Sequence, residues 1–140
     1  MIKSVKAIIK FKGKYLLQLR DNKRNIFFPN FWGLFGGQID KNETFLSAIL
    51  REIKEETNLD VKKINKIVSV KYNIKGVKHK RDLTYFDCRI YNIKKISLTE
   101  GQMFKFFSFN QIKKLKIIPM DYFAVHSHFY KNINCNSYYR

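Results

Sequence analysis

The sequence has few acidic residues, few cysteines and no long apolar run. Its 140 residues include 11 Asp and Glu against 28 Lys and Arg, which gives a formal net charge of +17. The two cysteines, Cys88 and Cys135, cannot make a disulfide framework and lack the spacing of a zinc site, so we expect free thiols. No apolar segment approaches the about 20 residues of a membrane helix, and lysines interrupt residues 1–14 too often for a signal peptide. We therefore expect a cytoplasmic protein without a membrane partner.

Composition favours one folded domain with an excess of positive charge. Hydrophobic residues make up 45% of the chain and aromatic residues 16%, which is enough to fill a core. The length suits a single domain over residues 1–140 and excludes a second full domain. The basic excess has two interpretations. It would attract RNA or small polyphosphates by counterion release, or it reflects compositional drift, because its lysines are scattered through the chain.

The hydrophobic pattern predicts strands, one central helix, more strands and a final helix. Residues 5–11 and 15–19 predict a hairpin about Gly13, and a polar loop then precedes a strand over residues 32–35 that ends at Gly36. The elements expected after the central helix are paired strands over residues 64–74 and 83–93, a strand over residues 103–109, a short helix over residues 111–115 capped by Ser108 or Asn110, and a last helix of about ten residues from Asp121. This order predicts an α+β fold or an α/β/α sandwich.

The central helix has the clearest amphipathic pattern in the chain. Residues 44–57 contain no Gly or Pro, and the pattern stops at Asn58. Glu52, Glu55 and Glu56 are spaced i, i+3 and i+4, so they share one stripe of the helix. The apolar face beside that stripe should pack on a sheet and consists of Leu46, Ile49, Leu50 and Ile53. The remaining side should face solvent and consists of Ser47, Arg51, Lys54 and Asn58.

Three carboxylates at helical spacing repel one another and destabilise the helix. A hard divalent cation with oxygen ligands would neutralise them, and Mg²⁺ commonly binds one or more carboxylates together with substrate phosphates. The alternative is a solvated acidic face that pairs with the abundant lysines. The three glutamates alone do not decide between these interpretations.

Fixed spacing links this helix to the segment before it. Five residues separate Gly37 from Glu43, and seven separate Glu43 from the run Arg51-Glu52-Ile53-Lys54-Glu55-Glu56-Thr57-Asn58-Leu59. The pattern resembles the Nudix box, and every defined position agrees except that Asn58 stands where the box has Gly. Asn tolerates the left-handed conformation in which that Gly ends the helix, so we expect the turn to be kept.

The resemblance implies a fold, a reaction and a set of ligands. The fold would be an α/β/α sandwich with a mixed β-sheet, and the reaction would be hydrolysis of a nucleoside diphosphate linked to another moiety. The cofactor would be Mg²⁺, with Mn²⁺ as a possible substitute. Carried over by position, the metal ligands would be Glu52, Glu55, Glu56 and the Gly37 carbonyl. Arg51 would hold a carboxylate with Glu43 as its partner, although a surface pair with Glu55 is the alternative.

The resemblance leaves the general base and the substrate contacts open. Glu100 occupies the loop position that MutT-type members use for the base, and Glu55 is the alternative within the box. Arg20 resembles a phosphate-contacting Arg, and Asp121 falls where some members read the nucleobase. Trp32 and Phe28 are candidates for stacking on the base. Arg20 could equally be a surface charge, Asp121 a helix cap and Trp32 a core residue.

Three functions follow from the resemblance. The first is a pyrophosphohydrolase of free nucleotides or nucleotide-linked metabolites, such as a housecleaning nucleoside triphosphatase. The second is removal of pyrophosphate or a cap from the 5′ end of RNA, which the net charge of +17 favours. The third is a catalytically silent module that binds a nucleotide or RNA, which the intact acidic set disfavours.

Overall fold

The chain folds into two four-stranded sheets flanked by helices. The computed structural model describes residues 1–99 and 101–138, and of residues 132–138 only the backbone. The elements within this part of the chain are β1 (Ile2–Ile8), β2 (Lys10–Phe11), β3 (Lys14–Leu19), β4 (Trp32–Gly33), β5 (Phe35–Gln38), α1 (Phe45–Thr57), β6 (Val61–Tyr72), β7 (Arg81–Ile90), β8 (Met103–Phe107), α2 (Phe109–Ile112) and α3 (Pro119–Tyr138). No described helix is long and apolar enough to cross a membrane.

The first sheet has the order β5-β1-β7-β6 and is mixed. Strand β1 pairs in parallel with β7 and antiparallel with β5, which sets Val5 opposite Gly37. In the second sheet, β3 pairs antiparallel with β8 along its length and with β2 and β4 at its two ends. This mixed α+β architecture confirms the predicted fold class.

Successive strand residues face two different cores, except at the bulge of β6, where Ile67 and Val68 pack against the same one. On β3, Leu16 packs with Ala48, Ile49 and Ile53 of α1, whereas Leu17 faces the other way. The second core lies under α2 and α3 and contains Tyr15, Leu17, Tyr85, Ile112, Ala124 and Val125. Because successive strand residues point to opposite faces, α1 and α3 cover opposite sides of the sheets, as the α/β/α sandwich requires.

The strand predictions were right in pairing and wrong in several bounds. The hairpin about Gly13 joins only β2 and β3. The predicted first strand is interrupted at Ile9, and residues 2–8 belong to the other sheet. The predicted strand over residues 32–35 is two strands, and Gly36 lies inside β5 rather than after it. Antiparallel pairing of β6 with β7 is confirmed, but β6 begins at Val61 and ends at Tyr72.

The helix predictions were wrong on one face and on one length. Leu46 and Leu50 are exposed, because the buried face of α1 is centred on Ala48, Ile49 and Ile53. The last helix begins at Pro119, a favoured first helical residue, and spans 20 residues because no Gly or Pro follows to end it. The short helix begins at Phe109 with Ser108 as its cap. Cys88 is a free, buried thiol as predicted, and the side chain of Cys135 lies outside the described residues.

Candidate active site

Helix α1 is fixed at both ends by local hydrogen bonds. Thr44 caps its first turn, since the Thr44 hydroxyl accepts from the Ser47 amide and the Ser47 hydroxyl accepts from the Thr44 amide. Asn58 ends it at φ 58°, ψ 18°, and its side-chain amide donates to the Lys95 carbonyl. The left-handed turn expected of Asn58 is confirmed, so the helix keeps its length without the glycine.

Arg51 lies at the centre of an ionic network that joins α1 to the loop before it. Its Nε and Nη2 donate to the two oxygens of Glu43 at 2.7 and 2.8 Å, a bidentate pair. Its Nη1 donates to Glu52 at 2.8 Å and to Glu55 at 3.3 Å, and Nη2 also reaches the Gln38 carbonyl. The side chain is half-buried, so the prediction that Arg51 faces solvent was wrong. Both contacts considered for it, the Glu43 pair and the Glu55 pair, are present.

The Glu43–Arg51 pair holds both partners in their charged forms. Hydrogen bonds from Arg51, and then from the Asp40 amide, lower the pKa of Glu43 from 4.5 to about 2. The Glu43 hydrogen bond in turn raises the pKa of Arg51 above its ordinary range. Arg51 is therefore a permanent cation beside Glu52 and Glu55.

The three acids of α1 differ in exposure. Glu55 is open to solvent, with 60% of its side chain exposed, whereas Glu52 is largely covered. Glu56 is buried, with an exposed fraction of 5%. Gly37 of β5 lies directly against the Glu52 carboxyl, because a Cβ at Gly37 would come within 2.6 Å of its Cδ. A residue with a side chain would push Glu52 away, so the glycine is required for this close approach.

Two adjoining cavities open beside the acidic edge of α1. One, of about 380 Å³, is lined by Glu56, Gln18, Arg20, Gly36, Thr99 and Gly101. The other is a cleft of about 640 Å³, whose walls include Lys6, Arg20, Phe27, Gly37, Asn73 and Met120. Arg20 and Gly36 line both. An elongated ligand can therefore contact Glu56 at one end and the apolar cleft at the other.

The loop before β8 is attached to the end of α1. The Thr99 hydroxyl donates to the Glu55 carbonyl at 2.9 Å, and the Thr99 amide donates to that of Glu56. Gly101 has φ +80°, and a Cβ there would lie 2.8 Å from the side-chain oxygen of Gln18. Glu100, the predicted general base, lies outside the described residues.

The residues predicted to contact substrate lie in three different settings. Arg20 lines both cavities, and its Nε donates to the Phe27 carbonyl. Trp32 packs edge-on against Phe107 at 4.8 Å between ring centroids. Asp121 is fully buried within the first turn of α3, so the prediction that it caps this helix was wrong.

Comparison with known proteins decides the family. The model of the NUDIX domain matches residues 4–128, most of the chain. The chain belongs to the NUDIX family. It is accordingly a hydrolase of pyrophosphate bonds. No curated protein sequence matches this NUDIX chain.

Solved structures with low identity share the NUDIX fold. The MutT protein of Methanosarcina mazei is 23% identical with a TM-score of 0.76, over 95% of this chain and 94% of that one. The NUDIX domain of Shewanella oneidensis NrtR, complexed with ADP ribose, is 19% identical with a TM-score of 0.77, over 94% and 88%. A Caenorhabditis elegans Ap4A hydrolase is 20% identical with a TM-score of 0.75, over 96% and 99%. At these identities the likeness establishes the fold.

NUDIX hydrolases generally use divalent metal ions, and the donor chemistry of this edge fits one. Glu52, Glu55 and Glu56 supply hard oxygen ligands, and the bare backbone of Gly37 lies against Glu52. Among the side chains that the structure describes, those of residues 1–99 and 101–131, no three acidic, His or Cys side chains are grouped as metal ligands would be. Arg51 instead binds oxygens of Glu52 and Glu55.

Several residues of the NUDIX cavities were not identified from the sequence. Lys6 and Gln18 are polar residues in strands without a motif, and Thr99 belongs to the loop in which only Glu100 was assigned a role. Phe27 and Phe28 line the cleft, whereas the sequence offered Trp32 and Phe28 for stacking on the base and did not identify Phe27. The one available signal was a lysine on β1 whose side chain points to the same face as apolar Ile8.

Proposed function

We propose that the chain is a Mg²⁺-dependent pyrophosphohydrolase that cleaves a nucleoside diphosphate linked to another moiety. The substrate would be a free nucleotide, as in housecleaning of nucleoside triphosphates, or a nucleotide-linked metabolite. The observation that carries the proposal is the acidic edge of α1, where Glu52 lies on Gly37 and Glu56 lines a cavity together with Arg20. We further propose that the protein acts on this substrate in the cytoplasm, as one domain over residues 1–140.

Glu52, Glu55, Glu56 and the Gly37 carbonyl would hold the metal ion, either Mg²⁺ or Mn²⁺. When bound, it would neutralise phosphate charge and lower the pKa of a coordinated water. Arg51 would orient Glu52 through the 2.8 Å hydrogen bond, and Glu43 would keep Arg51 in position. The outer residues thus fix the ligands, as is usual around metal ions.

Arg20 would bind the phosphates of the substrate. It lies where the two cavities meet, and no described carboxylate forms an ion pair with it. A guanidinium in that position can bind phosphate oxygens in pairs. The remaining moiety would then extend into the 640 Å³ cleft.

Glu100 would act as the general base, with Glu55 as the alternative. The base takes the proton of the water that attacks phosphorus, while the departing phosphate leaves with the bond electrons. The contacts of Thr99 with α1 support Glu100, because Thr99 and Gly101 both line the cavity of Glu56. Arg51 would assist only by orienting carboxylates.

The ligands named for structural neighbours belong to the proposed substrate class. One neighbour is complexed with ADP ribose, one is an Ap4A hydrolase, and one is a dihydroneopterin triphosphate pyrophosphohydrolase. These compounds share a phosphoric anhydride and differ widely in what it carries. They support the choice of bond and leave the substrate of this chain to experiment.

A substrate panel tests the proposal. The protein would be incubated with Mg²⁺ and nucleoside triphosphates, dinucleotide polyphosphates, nucleotide sugars and 5′-triphosphorylated RNA, and the released phosphates would be measured. We expect turnover of at least one small nucleotide and its loss in Glu56→Gln. Asp60→Asn is the matched control, because Asp60 is exposed and pairs with Lys54 away from the site. No turnover of any compound would favour a silent binding module.

RNA with a 5′-triphosphate is the second candidate substrate. The net charge of +17 favours it, since basic surfaces bind RNA by releasing counterions. If RNA is the substrate, its kcat/KM should exceed that of every small nucleotide and fall steeply with added salt. A weak dependence on salt would favour the small nucleotide.

A further inference from the structure

Lys6 presents a cation inside the apolar cleft. It lies on β1, its side chain is 18% exposed, and it lines the 640 Å³ cleft. Its Nζ donates to Asp121 Oδ1 at 2.9 Å and to Oδ2 at 2.7 Å. An ammonium carries three N–H donors, so this arrangement directs two to Asp121 and leaves one for a ligand.

Asp121 cannot itself contact a ligand. It is fully buried, and besides Lys6 it accepts from the Tyr85 hydroxyl at 2.7 Å and from the Leu34 amide at 3.0 Å. Burial and the neighbouring Asp121 raise the pKa of Tyr85 above its ordinary range, so the phenol keeps its proton and donates. The carboxylate therefore has a donor on every side and serves to hold Lys6.

The other polar groups of the cleft do not compete for the Lys6 ammonium. Its described lining includes two cations, Lys6 and Arg20, two amides, Asn73 and Gln38, and two hydroxyls, Ser4 and Tyr72, but no carboxylate. The described hydrogen bonds of the ammonium go to Asp121 alone. Much of the remaining wall is apolar, formed by Phe27, Leu83 and other side chains. A hydrogen-bond acceptor on the ligand would thus meet Lys6 in a partly dehydrated setting, where such contacts discriminate most strongly.

Lys6 is placed to contact the part of the ligand remote from the anhydride. Its Nζ is anchored to α3, whereas Glu52 and Glu56 belong to α1 on the opposite face of the sheets. Arg20 already lies between the two cavities, next to the acidic edge. With the phosphates at Arg20, the cleft would receive the base.

We propose that Lys6 is a specificity-determining residue that selects nucleobases with a carbonyl group over those with an amine in its place, and that Asp121 is its positioning residue. The proposal rests on the proposed function in that a nucleotide occupies the cleft. A carbonyl oxygen accepts from the ammonium, whereas an amine at the same position would face it with a second donor. Uracil and hypoxanthine should therefore bind better than cytosine and adenine.

Binding of nucleoside monophosphates tests this selection without hydrolysis. UMP and CMP, and likewise IMP and AMP, differ by a carbonyl in place of an amine and by an N–H in place of an acceptor nitrogen beside it in the ring. Their Kd values can be measured by calorimetry with Mg²⁺. For the wild type we expect UMP and IMP to bind about tenfold tighter than their partners. In Lys6→Met that ratio should fall to about one through weaker binding of UMP and IMP.

Three further variants separate selection from structural damage. Lys6→Arg keeps a donor and should keep the preference, and Lys3→Met, at an exposed position of β1, should leave it unchanged. Asp121→Asn should lower the ratio of the two Kd values in each pair of nucleotides. This ratio does not depend on the fraction of protein that is folded. A purely structural role for Asp121 would lower binding of all four nucleotides equally.

The results distinguish this proposal from the proposed function. Equal binding of each pair by the wild type, a preference that survives in Lys6→Met, or no binding of any nucleotide would overturn it. An equal loss of affinity for all four nucleotides in Lys6→Met would indicate that Lys6 binds phosphate, and would overturn the proposal as well. A preference that depends on Lys6 in a protein without turnover on any substrate would uphold it while refuting the hydrolase mechanism.

Discussion

The helices on the two faces of the sheets carry charged clusters of opposite construction. At α1, Arg51 and Glu52 of the helix form an ionic network with Glu43, which lies eight positions before Arg51 in the preceding loop. On α3, Asp121 is joined to Lys6, 115 positions away, by two hydrogen bonds, and is fully buried. Beside the first cluster, Glu55 stays open to solvent. In the second, the Asp121 carboxylate accepts hydrogen bonds only from groups of the protein itself.

This difference separates the chemistry of the site from its selectivity. The acids of α1 come from one local motif, so any chain with that motif can form the same hydrolytic edge. The Lys6–Asp121 pair depends on which residue β1 places beneath α3. We infer that the hydrolytic edge is set by local sequence, and the choice of ligand by tertiary contacts.

The largest effect is expected from the loop that contacts the α1 cluster. Glu100→Gln removes the proposed base and should lower kcat by about 10² to 10⁴ while leaving the Kd of UMP unchanged. At saturating Mg²⁺, which compensates for the loss of one proposed metal ligand, Glu55→Gln should have the smaller effect on kcat, because Glu55 is only the alternative base. Single-turnover kinetics on both variants would compare them, and a larger loss in Glu55→Gln would transfer the role to Glu55.

Neighbouring glycines of β5 should separate stability from activity. Gly36→Ala would place a Cβ against the Val5 carbonyl and 2.8 Å from Lys6 Cα, so overpacking should cost about 1–3 kcal/mol of unfolding free energy. Gly37→Ala would instead displace the Glu52 carboxyl, a side chain that can move, and should mainly weaken Mg²⁺ binding. Urea unfolding and metal titration of both variants would reveal this. The reverse pattern would contradict the placement of Glu52.

A smaller effect is expected from the Glu43–Arg51 pair. Glu43→Gln removes the bidentate partner of Arg51, which then holds Glu52 less firmly, and Mg²⁺ affinity should fall about 10- to 100-fold. Asp40→Asn is the matched control, because Asp40 is more exposed and lies 3.4 Å from Arg51. Isothermal titration with Mg²⁺ would measure both. Equal affinity in Glu43→Gln and wild type would exclude a supporting role for Glu43.

The smallest effect is a pH dependence of stability that comes from the same pair. Folding lowers the pKa of Glu43 from 4.5 to about 2, so its contribution to stability is complete above pH 4.5. That contribution should be lost as the pH falls from about 4.5 to about 2. The difference in melting temperature between wild type and Glu43→Gln should therefore narrow over that interval. A constant difference would show that the charge of Glu43 does not matter.

Local features of the fold could be predicted from the sequence, and long-range ones could not. The turn at Asn58 follows from the backbone preference of one residue, and the acidic stripe from helical spacing. Leu46 and Leu50 were misplaced because small Ala48 marks the centre of the buried face, and side-chain size obscured it. The Lys6–Asp121 pair joins residues with no shared motif, so it emerges only once β1 and α3 are packed together.

Metal binding at the edge of α1 is the most direct test of the account. Titration of the wild type with Mn²⁺, followed by electron paramagnetic resonance, should reveal a site that Mg²⁺ displaces and that is lost in Glu56→Gln but kept in Asp60→Asn. A spectrum of free Mn²⁺ throughout, with or without added nucleotide, would contradict the claim that these glutamates hold a divalent ion.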